Sequence, residues 1–448
     1  MSLKYVREHT GHSATPGAIM VMVLLWLLGG CSQQDTTPIR IGVIHSLTGT
    51  MAASETPLVD AVQMAVDEIN AQGGVLDRRV AVQVADSRSD AAHAAVEAER
   101  LITHSNVRAL FGCWTSSCRK AVKPVVEKHH HLLFYPVQYE GLEQSPHILY
   151  TGATANQQII PGTVWALENL GKRVFLVGSD YIFPRVANHI ISDVVQTHKG
   201  QVIAEHYAPL GDSRFARIVG RIRETQPDVI LNTLNGDSNV AFFQALHDAG
   251  LNRMPVMSFS LDENGLATLK KPLHFPHYAV WGYFQSLANE HNVAFLRAWH
   301  ARHATPVAAS DPVEAAYVGV KLWAQTVNAI GTTDLDAVNR ALLRQTLQAP
   351  SGIVAVDPET RHVWKSVRIG VARPDGNFRV VFELDTLFRP NPFPGYHTIE
   401  EWTQALETIS ARTPPLADKH TQEPEKHPPV FMPPKENGLS ETLPQGQS

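Results

Sequence analysis

The sequence predicts an α/β fold built as two lobes, each around a largely parallel sheet. Short β-branched segments bounded by turn residues alternate with helical runs along most of the chain, the pattern of parallel strands joined by helical crossovers. There are more such units than one parallel sheet usually takes. Polar clusters at 112–117, 178–181, 232–239 and 258–263 fall where strands should end, and open parallel sheets bind ligands beyond those ends.

Residues 39–44 form a short apolar run that reads as a buried strand, and 46–54 is a small, polar loop. Leu58, Val62, Ala65, Val66 and Ile69 recur at helical spacing until Gly73 and Gly74 stop the helix. A strand at 80–84, a helix at 91–103 and a strand at 107–111 follow. The alternation continues with helices at 120–128, 157–170, 183–197, 216–225 and 240–249. Strands are expected between them at 132–135, 173–177, 202–207, 229–232 and 256–258. Long helical runs cover 312–330 and 335–347. Segments 352–356, 367–371 and 378–382 read as strands, with the turn Pro374-Asp375-Gly376 before the last.

Composition narrows the class. The 448 residues suggest two or three domains at about 150 residues each. With 38 basic and 43 acidic residues the net charge is −5, which argues against an electrostatic nucleic-acid binder. Three cysteines are too few for a disulfide framework. Lys4 and Arg7 precede an apolar run at 18–28, which ends in Leu28-Gly29-Gly30-Cys31. That run is shorter than the roughly 20 residues of a spanning helix and suits the core of an export signal. Its end resembles a bacterial lipobox, so residues 1–30 are expected to be a removable leader and Cys31 a lipidated N-terminus. Residues 31–38 would be a tether holding the protein to an extracytoplasmic membrane face by lipid alone. At the other end, 8 of the 29 prolines lie in 411–448, which reads as an extended tail rather than part of a core.

Several longer motifs then occur in order. Gly112-Cys113-Trp114-Thr115-Ser116-Ser117-Cys118-Arg119 is followed by Phe134-Tyr135-Pro136-Val137-Gln138-Tyr139-Glu140-Gly141 and Tyr150-Thr151-Gly152-Ala153. Gly178-Ser179-Asp180-Tyr181-Ile182-Phe183-Pro184-Arg185, Asn232-Thr233-Leu234-Asn235-Gly236-Asp237 and Ser310-Asp311-Pro312-Val313-Glu314 come later, with Arg389-Pro390-Asn391-Pro392 near the end. This series resembles the urea- and short-amide-binding branch of the type I periplasmic solute-binding proteins that serve ABC importers. It departs from that pattern at Cys118 and across 260–271. The resemblance implies two Rossmann-like lobes, a ligand cleft and three hinge crossovers. Lobe 1 would take 39–153 and 285–348, and lobe 2 would take 154–284 and 349–400, with a short C-terminal helix at 401–410. It implies a receptor that hands urea or a short amide to the permease of an ABC importer.

Such a ligand is small, planar and neutral. A closed cleft must supply acceptors for its N–H groups, a donor for its carbonyl, and flat walls, because an unmatched buried polar group costs about 1–3 kcal/mol. Asp180, Asp237 and Glu263 are the expected acceptors, Thr115 and Ser116 the hydroxyl partners, and Trp114, Tyr135, Tyr139, Tyr181 and Tyr283 the walls. Each has a competing local role. Ser116 could cap the helix near Arg119, Asp180 the helix from Phe183, Asp237 the helix from Val240, and Trp114 could simply pack.

Other chemistry is weakly supported. The run His129-His130-His131 lacks accompanying ligands at metal-site spacing, and consecutive residues point apart. Cys113 and Cys118 share an oxidising compartment, yet a strand end followed by a helix start tends to hold them too far apart to bond; pairing stays open. There is no nucleophile elbow, phosphate loop or His-Glu-x-x-His, so neither a catalytic residue, a metal nor a cofactor is predicted. The runner-up to import is a sensor that passes lobe closure to a regulatory partner.

Overall fold

The computed structural model describes residues 36–269, 277–384 and 386–413. The expected leader 1–30, the lipidation site Cys31 and nearly all of the proline-rich tail lie outside these. Among the described residues no helix is long and apolar enough to cross a membrane.

The first sheet is five-stranded and wholly parallel, in the order β2-β1-β3-β4-β5. Its strands are β1 (Ile39–His45), β2 (Val80–Asp86), β3 (Leu110–Gly112), β4 (Leu133–Tyr135) and β5 (Ile148–Tyr150). Helices α1 (Ala52–Ala71), α2 (Ala91–Thr103) and α3 (Ser116–Lys128) make its crossovers. Nearly every residue of β1 is buried, as a strand covered on both faces requires. Gly112 ends β3 with φ +149°, and a Cβ there would sit 2.0 Å from the Ile44 carbonyl. Only glycine lets the two strand ends approach this closely.

The second sheet has seven strands in the order β15-β14-β10-β9-β8-β6-β7. After α4 (Ile159–Asn169) come β6 (Arg173–Ser179), α5 (Ile182–Thr197), β7 (Gln201–Ala208), α6 (Ala216–Thr225), β8 (Val229–Thr233), α7 (Asp237–Asp248), β9 (Val256–Ser258), α8 (Glu263–Thr268) and β10 (His277–Trp281). The chain then returns to the first lobe through α9 (Glu290–Arg302), α10 (Asp311–Ile330) and α11 (Leu335–Leu342). A small antiparallel sheet follows, from β11 (Thr346–Ala349), β12 (Gly352–Val356) and β13 (Val363–Trp364). Finally β14 (Arg368–Ala372), antiparallel to β10, and β15 (Phe378–Glu383), antiparallel to β14, complete the second sheet, and α12 (Ile399–Arg412) closes the described chain.

The α/β fold with parallel sheets is the one expected, and the differences have physical causes. Helices α1 and α3 start earlier than their apolar periodicity, since small polar residues form the first turns. The helix expected over 335–347 stops at Leu342, because Thr346–Ala349 pairs with Gly352–Val356 across a tight turn. β5 is three residues long, too short to show a period. Ala349, Val354, Val356 and Val363 pack into the first lobe's core. The core boundary therefore falls near Lys365, downstream of the 348/349 division. The final helix, α12, begins with the Thr398–Glu401 capping box. It is pinned by fully buried Trp402, whose indole N–H donates to the Pro394 carbonyl at 2.7 Å.

Candidate functional site

The loops after the parallel strands meet between the lobes, where side-chain hydrogen bonds cross. Trp114 Nε1 donates to Asn235 Oδ1 at 3.3 Å, and Thr50 Oγ1 to Asp237 Oδ2 at 3.4 Å. Gln138 Nε2 donates to the Phe259 carbonyl at 3.0 Å, and Asn264 Nδ2 to Ser310 Oγ at 3.4 Å.

The first-lobe wall is organised by Arg119, which lies on α3 and is fully buried. Its guanidinium donates to Glu143 Oε1 at 2.9 Å, Ser116 Oγ at 3.2 Å and Glu140 Oε1 at 3.2 Å. It also lies over the rings of Tyr135 and Tyr139, at 4.8 and 4.3 Å from their centroids. Burial opposes its charge, but Glu143 and Glu140 raise its affinity for the proton further still. Glu143 mirrors this: burial works against ionisation, yet Arg119, Lys120 and Lys123 hold its carboxyl well below the usual range.

The expected wall residues gather around this centre. Ser116 Oγ donates to Glu140 Oε2 at 2.5 Å. The helix cap is Thr115 instead, whose hydroxyl accepts from the Cys118 N–H at 3.1 Å. Tyr135 Oη donates to the Trp114 carbonyl at 2.6 Å. Tyr139 Oη meets His362 Nε2 at 2.5 Å, and its ring runs near-parallel to those of Tyr150 and His362, which stack on each other at 4.2 Å. Tyr181 comes from the second sheet, at the N-terminus of α5, and is 2% exposed. Burial pushes its hydroxyl proton affinity well up, with Tyr135, Glu140 and Glu55 of the opposite lobe adding to the effect. Among the described residues no hydrogen bond reaches that hydroxyl.

Other expected residues stand apart from this group. Asp180 is held by its own neighbour, accepting from Arg185 Nε at 2.6 Å. Asp237 opens α7 and lines, with Ser54, Gly236, Ser260 and Asp262, a cavity of about 50 Å³ between the lobes. Glu263 and Tyr283 lie in a buried acidic cluster with Asp262, Asp311 and Glu314. Glu263 Oε1 accepts from the Gln285 N–H at 3.1 Å, while its buried Oε2 has no partner. Burial first, and then the Asp262 charge, push its pKa well up. Tyr283 Oη donates to Asn292 Oδ1 at 2.7 Å and therefore faces α9.

Sequence reading missed Arg119, Glu143, Asn235, and the pair His45–Glu55. His45 Nδ1 lies 2.9 Å from Glu55 Oε2, and its buried Nε2 has no partner. The signal for Glu55 was an acid in the first turn of an otherwise small-residue helix start. The pairing of Cys113 and Cys118, open from the sequence, is made. They form a disulfide with Cα atoms 5.5 Å apart, because Cys113 takes a left-handed backbone (φ 63°) that folds the strand end back onto the helix start. The histidine run forms no cluster. His129 pairs with Glu99 at 2.8 Å, and His131 lies between the carbonyls of Val107 and Leu132.

A family model described as a periplasmic binding protein domain matches residues 39–399. The chain belongs to this family. Its architecture is that of the type I periplasmic binding proteins, which bind solutes and are not enzymes. The Leu/Ile/Val-binding protein homolog 6 of Brucella melitensis is 24% identical over 398 residues, spanning 84% of this chain and 98% of that one. A solute binding protein of an ABC transporter from Rhodopseudomonas palustris, in complex with 3,4-dihydroxybenzoic acid, superposes with a TM-score of 0.72 at 20% identity, covering 79% of this chain and 99% of its own. The branched-chain amino acid transporter substrate binding protein of Streptococcus pneumoniae, in complex with isoleucine, gives a TM-score of 0.69 at 20% identity, covering 78% and 99%. These relatives share the fold and the solute-binding class. The ligands bound in these two structures are an aromatic acid and an amino acid, not urea.

Proposed function

We propose that this periplasmic binding protein is the substrate-binding component of an ABC transporter. We propose that its ligand is urea or a short-chain amide, captured between the lobes and delivered to the permease, with the protein held at the membrane by a lipid on Cys31. The observation that carries the reading is the saturation of Arg119. A ligand carboxylate, such as that of isoleucine or a benzoic acid, is best served by a free cation and otherwise needs several free N–H and hydroxyl donors. The guanidinium beside Tyr135 and Tyr139 is already committed to Glu140, Glu143 and Ser116. What the cleft offers instead is acceptors (Asp237 and Asp262), flat aromatic faces and the Tyr181 hydroxyl. A neutral planar molecule rich in N–H donors matches that inventory. The cavity of about 50 Å³ beside Asp237 and Asp262 has room for few heavy atoms. Of the expected residues, Trp114, Ser116, Tyr135, Tyr139, Tyr181 and Asp237 are the ones to assign to the site. Thr115 and Glu140 would support it, with Asp180, Glu263 and Tyr283 further out.

Calorimetry and thermal shift with urea, formamide, acetamide, isoleucine and 4-hydroxybenzoate test this. Urea or an amide should bind 1:1 and raise the melting temperature, since a ligand of the native state alone stabilises it. A response to isoleucine or 4-hydroxybenzoate with none to urea or the amides would replace the reading by that of a carboxylate receptor.

A further inference from the structure

Far from the cleft loops, α5 carries His189 and Asp193 one turn apart, hence on one face. The segment between β15 and α12 brings His397 onto that face. His397 Nε2 lies 3.0 Å from Asp193 Oδ2, and the two imidazoles stack with centroids 6.0 Å apart and planes at 17°. One ligand atom from each of the three residues lies within 4.8 Å of the others.

We propose that His189, Asp193 and His397 form a site for a divalent first-row transition ion, with zinc as its probe. Two imidazoles and a carboxylate are the donors zinc and its neighbours prefer, whereas magnesium and calcium select oxygen ligands. Bonds of about 2.0–2.1 Å in tetrahedral geometry bring ligand atoms to roughly 3.3 Å of one another. The His397–Asp193 pair already meets that spacing, and His189 needs only a modest side-chain rotation. The surroundings are built to hold the rings. Buried Trp402 sets its indole edge-on to both, at 5.8 Å from His189 and 4.7 Å from His397. Glu401 Oε2, which accepts from the Thr398 N–H at 2.8 Å, places a negative charge 3.9 Å from His397 Nδ1. All three residues are partly exposed, so an ion has a way in. The ion would clip the C-terminal helix to α5, and this site is independent of the solute cleft.

The full chain, purified without a histidine tag and stripped with EDTA, is titrated with zinc by calorimetry and with cobalt by visible absorption. One zinc per chain, a raised melting temperature and a cobalt d–d band are expected. His189→Ala and His397→Ala should each weaken zinc binding by about 100-fold or more. Their melting in EDTA confirms that they fold, and His189→Gln serves if an alanine variant does not. The triple change His129→Ala, His130→Ala, His131→Ala should leave binding intact. Absence of a stoichiometric zinc site overturns the proposal. So does a site that survives both single variants, is lost in the triple variant, or responds equally to magnesium.

Discussion

Arg119 and Glu140 face each other at 3.2 Å with neither side chain exposed, and the same guanidinium holds Glu143 at 2.9 Å. A buried ion pair gains little over an apolar replacement of the whole group, but loss of one partner strands the other's charge. The pair therefore works as a fixed frame. It sets the hydroxyl of Ser116 and the rings of Tyr135 and Tyr139 before any ligand arrives.

Arg119→Ala should destabilise the protein by about 3–5 kcal/mol, because two buried carboxylates lose their counter-charge. Guanidinium unfolding is the suitable measurement, since urea would also report binding. A loss below about 1 kcal/mol would show that the network is solvated or rearranges.

Tyr181→Phe removes a hydroxyl with no protein hydrogen bond, so stability should change by less than about 0.5 kcal/mol. Affinity for the amide ligand should fall by about three- to tenfold, the value of one hydrogen bond. Calorimetry beside a melting curve separates the two. Unchanged affinity would remove Tyr181 from the site.

Glu263 gives a pH signature. Its pKa in the folded protein is raised above the ordinary 4.5 by burial. The folded state then binds more protons than the unfolded one above pH 4.5, so this group's contribution is full below that pH and is lost as pH rises. Glu263→Gln keeps the neutral shape and should be more stable than the parent by about 1–3 kcal/mol at pH 7. The difference should vanish near pH 4. A gap that does not grow with pH would show that Glu263 is not held protonated.

The Cys113–Cys118 bond closes a loop of sequence separation 5, so replacing both cysteines with serine should cost about 2 kcal/mol by chain entropy. Thiol labelling without reductant, followed by melting with and without it, checks this. Labelled thiols in the unreduced protein would contradict the bond.

The α/β class and most elements were legible because strand and helix periodicity is local. The strand-end loops were legible as site candidates because parallel sheets place ligands there whatever their side chains. Tyr135, Tyr139 and Ser116 were legible as chemistry. What surrounds them was not, since Arg119 reaches Glu140 and Glu143, 21 and 24 residues away, and Tyr181 meets its opposite wall only when two lobes fold.

Sequence alone determined the alternation that builds two sheets, the acids and aromatics at their carboxyl edges, and the apolar run that ends in Cys31. Tertiary structure alone decided which of those acids are spent. Asp180 is bound to Arg185, Glu263 is buried with its proton affinity raised, and Asp237 lines the cavity between the lobes. The physical reason is that a carboxylate's availability depends on its burial and its partner. Both are set by contacts between segments far apart in the chain, as with His397, which the last helix returns to Asp193 across 204 residues.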